Sequence, residues 1–172
     1  MKRIFAILIA IGSLVLFTQG CTIKLNGASI PPELKTINIQ YFENNAPLVV
    51  GYLSQQFTEA LKDRIRSTTR LSIVQGEADA SMSGTITGYS IEPVSVQATN
   101  NNVAPIAGAT RLTITVSVTY TNKADKKLNF TQPFPAFADF TGDISTQEQK
   151  LITTITKQLT EDIFNRAFAN WN

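Results

Sequence analysis

The chain has 172 residues, 43% of them hydrophobic and 16% charged, with 15 Lys+Arg against 13 Asp+Glu, one Cys and no His. Without an imidazole there is no Ser-His-Asp triad, no Cys-His dyad, no His-ligated metal and no His-based pH switch. A lone cysteine excludes an internal disulfide and any CxxC metal or redox site. The length favours a single domain with a short appendage.

In chain order, residues 1–20 read as an export leader. Lys2 and Arg3 make a basic start, and Ile4 to Phe17 carries no charge. Such a run fits the apolar core of a secretory signal and falls short of the ~20 residues that cross a bilayer as a helix. It ends Phe17-Thr18-Gln19-Gly20-Cys21. Removing Lys2 and Arg3 with the leader leaves 13 bases against 13 acids. A neutral mature chain argues against nucleic acid as a partner.

Residues 21–34 form a tether kept non-helical by Gly27, Pro31 and Pro32, and residues 35–172 read as one domain. Lys35 to Phe42 alternates, with Ile37, Ile39 and Tyr41 on one face, and predicts a strand. Asn44-Asn45-Ala46-Pro47 supplies turn chemistry ahead of a helix running to about Thr68. Its stripe is Val49, Leu53, Phe57, Leu61 and Ile65, and Gly51 shifts the regular start toward Tyr52. Leu71, Ile73 and Val74 predict a short strand. Ala80 to Val96 predicts a long strand or bent pair, with Ala80, Met82, Gly84, Ile86 and Gly88 on one face and Ser81, Ser83, Thr85 and Thr87 on the other. Pro93 marks a bend or an edge, and Ala98 to Thr110 is polar and small, a loop.

Arg111 to Thr121 is the cleanest strand. Leu112, Ile114, Val116, Val118 and Tyr120 make its buried face, and Thr113, Thr115, Ser117, Thr119 and Thr121 its solvated one. Asn122 to Lys126 is a hairpin connection. Leu128 to Phe140 is a last strand, placed at a sheet edge by Pro133 and Pro135. Ser145-Thr146-Gln147-Glu148 reads as a capping box opening a final helix, whose stripe runs from Leu151 through Ile155, Leu159 and Ile163 to near Trp171. The elements predict the α+β class: two amphipathic helices packed on one face of a four- or five-stranded, mostly antiparallel sheet, in β-α-β-β-β-α order.

Little chemistry remains for an enzyme. Most of the acids fall on helix faces or in turns, and Asp139 and Asp143 are the one close pair to check. A carboxylate hydrolase needs two acids held together in a cleft, whereas this pair reads as a solvated loop. There is no nucleotide-binding, nucleophile-elbow or calcium-loop motif. Gly84-Thr85-Ile86-Thr87-Gly88 lies inside a strand and reads as close packing, not as a phosphate cradle. No catalytic residue, metal ligand or cofactor is expected. Lys123, Lys126 and Lys127 cluster at the hairpin and Arg111 opens the strand before it. These four serve edge protection and solubility, or they contact lipid phosphates. The Thr/Ser ladder reads as a wet sheet face, with docking to a partner or to glycolipid sugars as the alternative.

The small residue Gly20 ahead of the sole cysteine, Cys21, resembles the lipobox of bacterial lipoproteins, with Thr18 standing where Leu, Val or Ile is usual. The resemblance implies cleavage before Cys21, a diacylglycerol on its thiol and an N-acyl chain such as palmitate on its amine. Several chains anchor stably where one does not. Thr22 replaces the Asp that signals inner-membrane retention, which implies the outer membrane, mainly its periplasmic side.

GASIPPELKTINIQYFENNAPLV (Gly27 to Val49), SQQFTEALKDRI (Ser54 to Ile65), GTITGYSIEPV (Gly84 to Val94), RLTITVSVTYTN (Arg111 to Asn122) and EDIFNRAFANW (Glu161 to Trp171) resemble, in that order, the LPS-assembly lipoprotein or LptE-like family. The resemblance implies two helices on one side of a small mixed sheet and a non-enzymatic subunit of the lipopolysaccharide export machinery. Its implied partners are an outer-membrane β-barrel of the LptD type and lipopolysaccharide. The alternatives are a free-standing periplasmic lipoprotein that binds the envelope without a barrel partner, and a carboxylate-dependent hydrolase.

Overall fold

The computed structural model describes residues 30–94 and 109–169. The leader, Cys21, most of the tether, most of the loop read over Ala98 to Thr110, and Trp171 lie outside the described residues.

Three long strands, β4 (Ala80–Pro93), β5 (Thr110–Asn122) and β6 (Phe130–Phe140), form an antiparallel meander. Parallel to β4 run β1 (Thr36–Ile39) and, further along it, β2 (Glu43–Asn44). Beyond β1 lies β3 (Ser72–Ile73), giving the order β3-β1-β4-β5-β6 with β2 also on β4. The sheet therefore has six strands and is mixed. The two-residue β2 is the strand that sequence pattern did not separate from β1.

A break at Gln40–Phe42 divides β1 from β2, and it has a cause in packing. Phe42 swings into the core, where its N–H donates to the buried Thr58 hydroxyl at 3.1 Å and its ring meets Phe57 edge-on at 5.1 Å. Tyr41, expected on the buried face, is instead 58% exposed.

Helix α1 (Leu53–Thr68) makes the crossover from β1 to the parallel β3, as a parallel pair requires. Helix α2 (Glu148–Phe168) closes the chain. Gln56 Nε2 donates to Thr153 Oγ1 at 3.0 Å and Arg64 to Glu161 at 2.8 Å. The constant offset means that the helices run parallel, with both N-termini at one end of the sheet. Leu53, Phe57, Leu61 and Ile65 join Ile152, Ile155, Leu159 and Ile163 in one core against a single sheet face. From Leu53 and Leu151 onward both stripes are those predicted, as is the buried face of β5, but Val49, read as the first residue of the α1 stripe, precedes the helix and is exposed.

Two local readings are corrected. In β4 the pairing runs Ile86 with Val116 and then Gly88 with Thr115, so Thr87 is an extra, bulged residue. The bulge turns Tyr89, not Gly88, into the core, and its hydroxyl donates to Glu148 Oε1 at 2.7 Å. Burial, reinforced by that carboxylate, holds the Tyr89 phenol well above its ordinary pKa. The Ser145–Glu148 capping box is absent. Asp143 takes the Ser145 N–H at 2.9 Å and starts a 3-10 turn over Ile144–Thr146, after which Gln147 Nε2 donates to the Thr141 and Asp143 carbonyls. The charged acceptor two residues upstream wins, and α2 begins only at Glu148.

Asp79 staples the start of β1 to the start of β4. Its Oδ2 accepts from the Thr36 hydroxyl at 2.8 Å and from the Thr36 and Lys35 N–H groups at 2.9 and 3.0 Å, while its own N–H donates to Thr36 Oγ1 at 3.0 Å. The Thr36 hydroxyl, followed by the two backbone donors, lowers the Asp79 pKa from its ordinary value. A carboxyl lowered on folding stabilises the fold above its unfolded pKa, and that contribution drains as pH falls through the folded value. Asp79→Asn should therefore lower the melting temperature at neutral pH, and the gap to wild type should close on acidification below the ordinary carboxylate range. A gap independent of pH would show that the charge is not what stabilises.

Candidate functional surface

The candidate cations occupy opposite ends of the molecule. Arg111 is the second residue of β5, whereas Lys123, Lys126 and Lys127 follow its last residue. A 13-residue strand spans about 40 Å, so the four do not form one patch. The hairpin end also holds the start of β1, where the tether enters, and the C-terminus of α2, whose Phe168 packs on Tyr120 at 5.7 Å.

Arg111 is already engaged. Its Nε and Nη2 make a bidentate pair with the two oxygens of Asp139 at 2.7 and 2.9 Å, and its guanidinium sits 3.7 Å from the centre of the Phe137 ring. The guanidinium lowers the Asp139 pKa, and the carboxylate raises that of Arg111. Lys123 pairs with Glu77. Lys126 and Lys127 lie in a 3-10 turn started by Asp125, whose carboxylate accepts the Lys127 N–H at 3.0 Å. Both are exposed, and among the described residues neither forms an ion pair.

Asp139 and Asp143, the close pair in the sequence, are engaged separately. Asp139 faces Arg111 and Asp143 caps the turn before α2, so the two have separate structural tasks. Among the described residues no group of acids is arranged to hold a metal, and no helix is long and apolar enough to cross a membrane. A groove of about 550 Å³ lies where the tether meets the end of α1, floored by Leu34 and Leu71 with Lys35 and Arg70 at its rim. A second groove, about 450 Å³, runs between the helices past Thr153, Thr156 and Thr160. Neither brings two carboxylates together.

A different kind of surface is the sheet face turned away from the helices. Pairing aligns it in rows across β4, β5 and β6: Ser83–Thr119–Thr131, Thr85–Ser117–Pro133, Gly88–Thr115–Pro135 and Ser90–Thr113–Phe137. The next row, Glu92–Arg111–Asp139, is charged and closes the face at one end. Between that row and the hairpin, the three strands present no charged side chain. The sequence shows the Thr/Ser alternation, but the empty interval becomes visible only when pairing aligns the strands. The Arg111–Phe137–Asp139 cluster has no sequence signal either, because Arg111 lies 26 and 28 positions before Phe137 and Asp139.

The fold and its surfaces define an α+β domain with two helices on one face of a mixed sheet and a hydroxyl-lined polar face opposite. Residues 34–167 match the LptE, lipopolysaccharide-assembly, family, and the chain belongs to that family. Family membership points to lipopolysaccharide assembly as the process served. No curated protein matches the sequence.

Solved structures share the fold. A rare lipoprotein B of Shewanella oneidensis aligns at 12% identity and TM-score 0.50, over 76% of this chain and 92% of that one. A hypothetical protein of Chlamydia trachomatis aligns at 9% identity and TM-score 0.52, over 80% and 99%. A protein of Xanthomonas campestris aligns at 8% and 0.52, over 77% and 85%.

Proposed function

We propose that this protein is a lipid-anchored, non-catalytic subunit of lipopolysaccharide export at the outer membrane. It acts as the stoichiometric partner of an LptD-type β-barrel, supporting the barrel's assembly and occupying its lumen. The family match over residues 34–167 carries this reading. Two features of the chain support it: the Gly20-Cys21 junction after an apolar leader, and the scattering of carboxylates into separate structural roles. Barrel interiors are polar and some are plugged, which suits a domain with an uncharged polar face. Of the four candidate cations, Lys126 and Lys127 are the ones that form no ion pair among the described residues. They are the better placed to contact lipid phosphates, while Arg111 and Lys123 first have to leave Asp139 and Glu77.

The test is to pull down the tagged full-length protein from outer membranes in mild detergent. Recovery of a large β-barrel near one-to-one, and loss of surface lipopolysaccharide on depletion, is the expected result. A stable monomer with surface lipopolysaccharide unchanged would leave a free-standing envelope lipoprotein. Intact-mass measurement of the same material should show loss of residues 1–20 and added acyl mass at Cys21. Cys21→Ala should abolish that mass and release the domain from the membrane with its melting temperature unchanged. An unmodified chain that begins elsewhere overturns the anchor.

A further inference from the structure

We infer that the hydroxyl-lined face of β4, β5 and β6 is the surface that seats against the barrel's inner wall, with the helix faces turned away from that contact. This rests on the barrel reading above. Charge depletion is the compositional mark of an interface core, more than apolarity is. The two sides of this domain differ in that respect. The outward faces of the helices carry Glu59, Lys62, Asp63, Arg66, Lys157 and Glu161. On the opposite side, β4, β5 and β6 carry no charge from the Ser90–Thr113–Phe137 row to the Ser83–Thr119–Thr131 row, and the nearest charge on that face is Glu43 of β2, paired with Thr85 at the margin of the three strands. Hydrated charges that would resist desolvation thus lie on the helix side, at the two ends of the sheet and at that one margin.

The size and shape also fit. Between the Ser90–Thr113–Phe137 and Ser83–Thr119–Thr131 rows, three strands spaced about 4.8 Å apart give an uncharged field of about 330 Å² before side-chain relief is counted. That is roughly two-fifths of the ~800 Å² that each partner contributes to a stable interface, a size that suits its charge-depleted centre. Short hydroxyls at fixed pleat positions lose little freedom on contact and both donate and accept, so they match a wall of polar, uncharged side chains. Pairing through the sheet edge is a poorer route. Pro133 and Pro135 lie in β6, which is H-bonded on one side only. Two residues apart, they remove two N–H donors from the same side of the strand. The apolar content of the face, Pro133, Pro135 and Phe137, sits along that same edge.

The experiment uses the full lipidated chain in its native membrane. A photo-crosslinking amino acid is placed in turn at Thr115, Ser117, Glu59 and Lys157. Capture of the barrel from Thr115 and Ser117 but not from Glu59 or Lys157 is expected. In parallel, Ser117→Arg should cut the barrel recovered by pull-down about tenfold, since a buried unpaired charge costs more than the ~1.4 kcal/mol that tenfold represents. Its melting temperature should stay near wild type, because the position faces away from the core. Glu59→Arg should leave recovery unchanged. Barrel captured through the helix sites, or undiminished recovery with Ser117→Arg, overturns the inference while the export role stands. Capture of only other copies of this chain from Thr115 and Ser117 also overturns it. No barrel recovered with the unmodified protein fails the functional reading itself, and this inference with it.

Discussion

Val116→Asp should leave the domain largely unfolded, whereas Thr115→Asp, one residue away, should melt within a few degrees of wild type. Val116 has no exposed surface, and it lies between Ile86 of β4 and Phe134 of β6 in the most regular part of the sheet. A carboxylate there finds no cation and no donor. Such a group either stays charged at a cost of several kcal/mol or takes up a proton and remains an unsatisfied polar group. Against a total stability of about 5–15 kcal/mol, that is a large fraction. Thr115 points to the opposite, wet face, where substitutions fall within roughly 0.5 kcal/mol. The comparison is internally controlled, because both variants add one negative charge to one strand. Thermal melts followed by circular dichroism decide it. Equal melting temperatures would mean that β5 is out of register by one residue, which would also exchange the two sheet faces.

How much of this was legible in the sequence depends on the range of the cause. β5 could be read residue by residue because alternation is local and the strand is central, so Leu112 through Tyr120 could point only one way. The helices were legible for the same reason, since their stripes repeat within each element. Most of the errors arise where a neighbour far along the chain decides. Tyr41 breaks its alternation because Phe42 finds Thr58, 16 residues on. Tyr89 replaces Gly88 in the core because β5 accepts a bulge at Thr87. Ser145 and Glu148 have the right spacing for a capping box, yet Asp143 holds the Ser145 N–H and Tyr89 holds Glu148. The candidate cations were grouped by sequence proximity to one strand, and the length of that strand separates Arg111 from the lysines.

Gly84→Ala should destabilise the domain by about 1–3 kcal/mol, the cost of overpacking a closed site, and Gly84→Val by more. Propensity alone argues the opposite sign. Glycine inside a strand is entropically unfavourable by roughly 0.5–1 kcal/mol relative to alanine, so the substitution would stabilise at an open position. Position 84 is not open. A Cβ built on it would lie 1.9 Å from the Ser117 carbonyl oxygen and 2.8 Å from the Phe42 ring. The first contact is backbone, which no rotamer change relieves, so β4 and β5 would have to separate locally. The second is a fully buried ring packed on Phe57, in a residue whose backbone N–H donates to the Thr58 hydroxyl. Gly84 is therefore what lets Phe42 lie over the sheet, and Phe42 is what breaks β1 from β2. Gly88 is a contrast within the same strand. Its added Cβ would meet Thr115 Cβ and Oγ1 at 3.2 Å, on the solvated face, where a shift of a few tenths of an ångström between the strands relieves the contact. Gly88→Ala should thus be near neutral. The consequence reaches the docking face as well, since Ser83 and Thr85 flank Gly84, and displacing β4 from β5 would disturb both of their rows. Denaturant melts of the two alanine variants, run beside wild type, measure the difference. If Gly84→Ala is as stable as wild type or more so, the close approach of Phe42 and the Ser117 carbonyl is not what positions this corner of the fold.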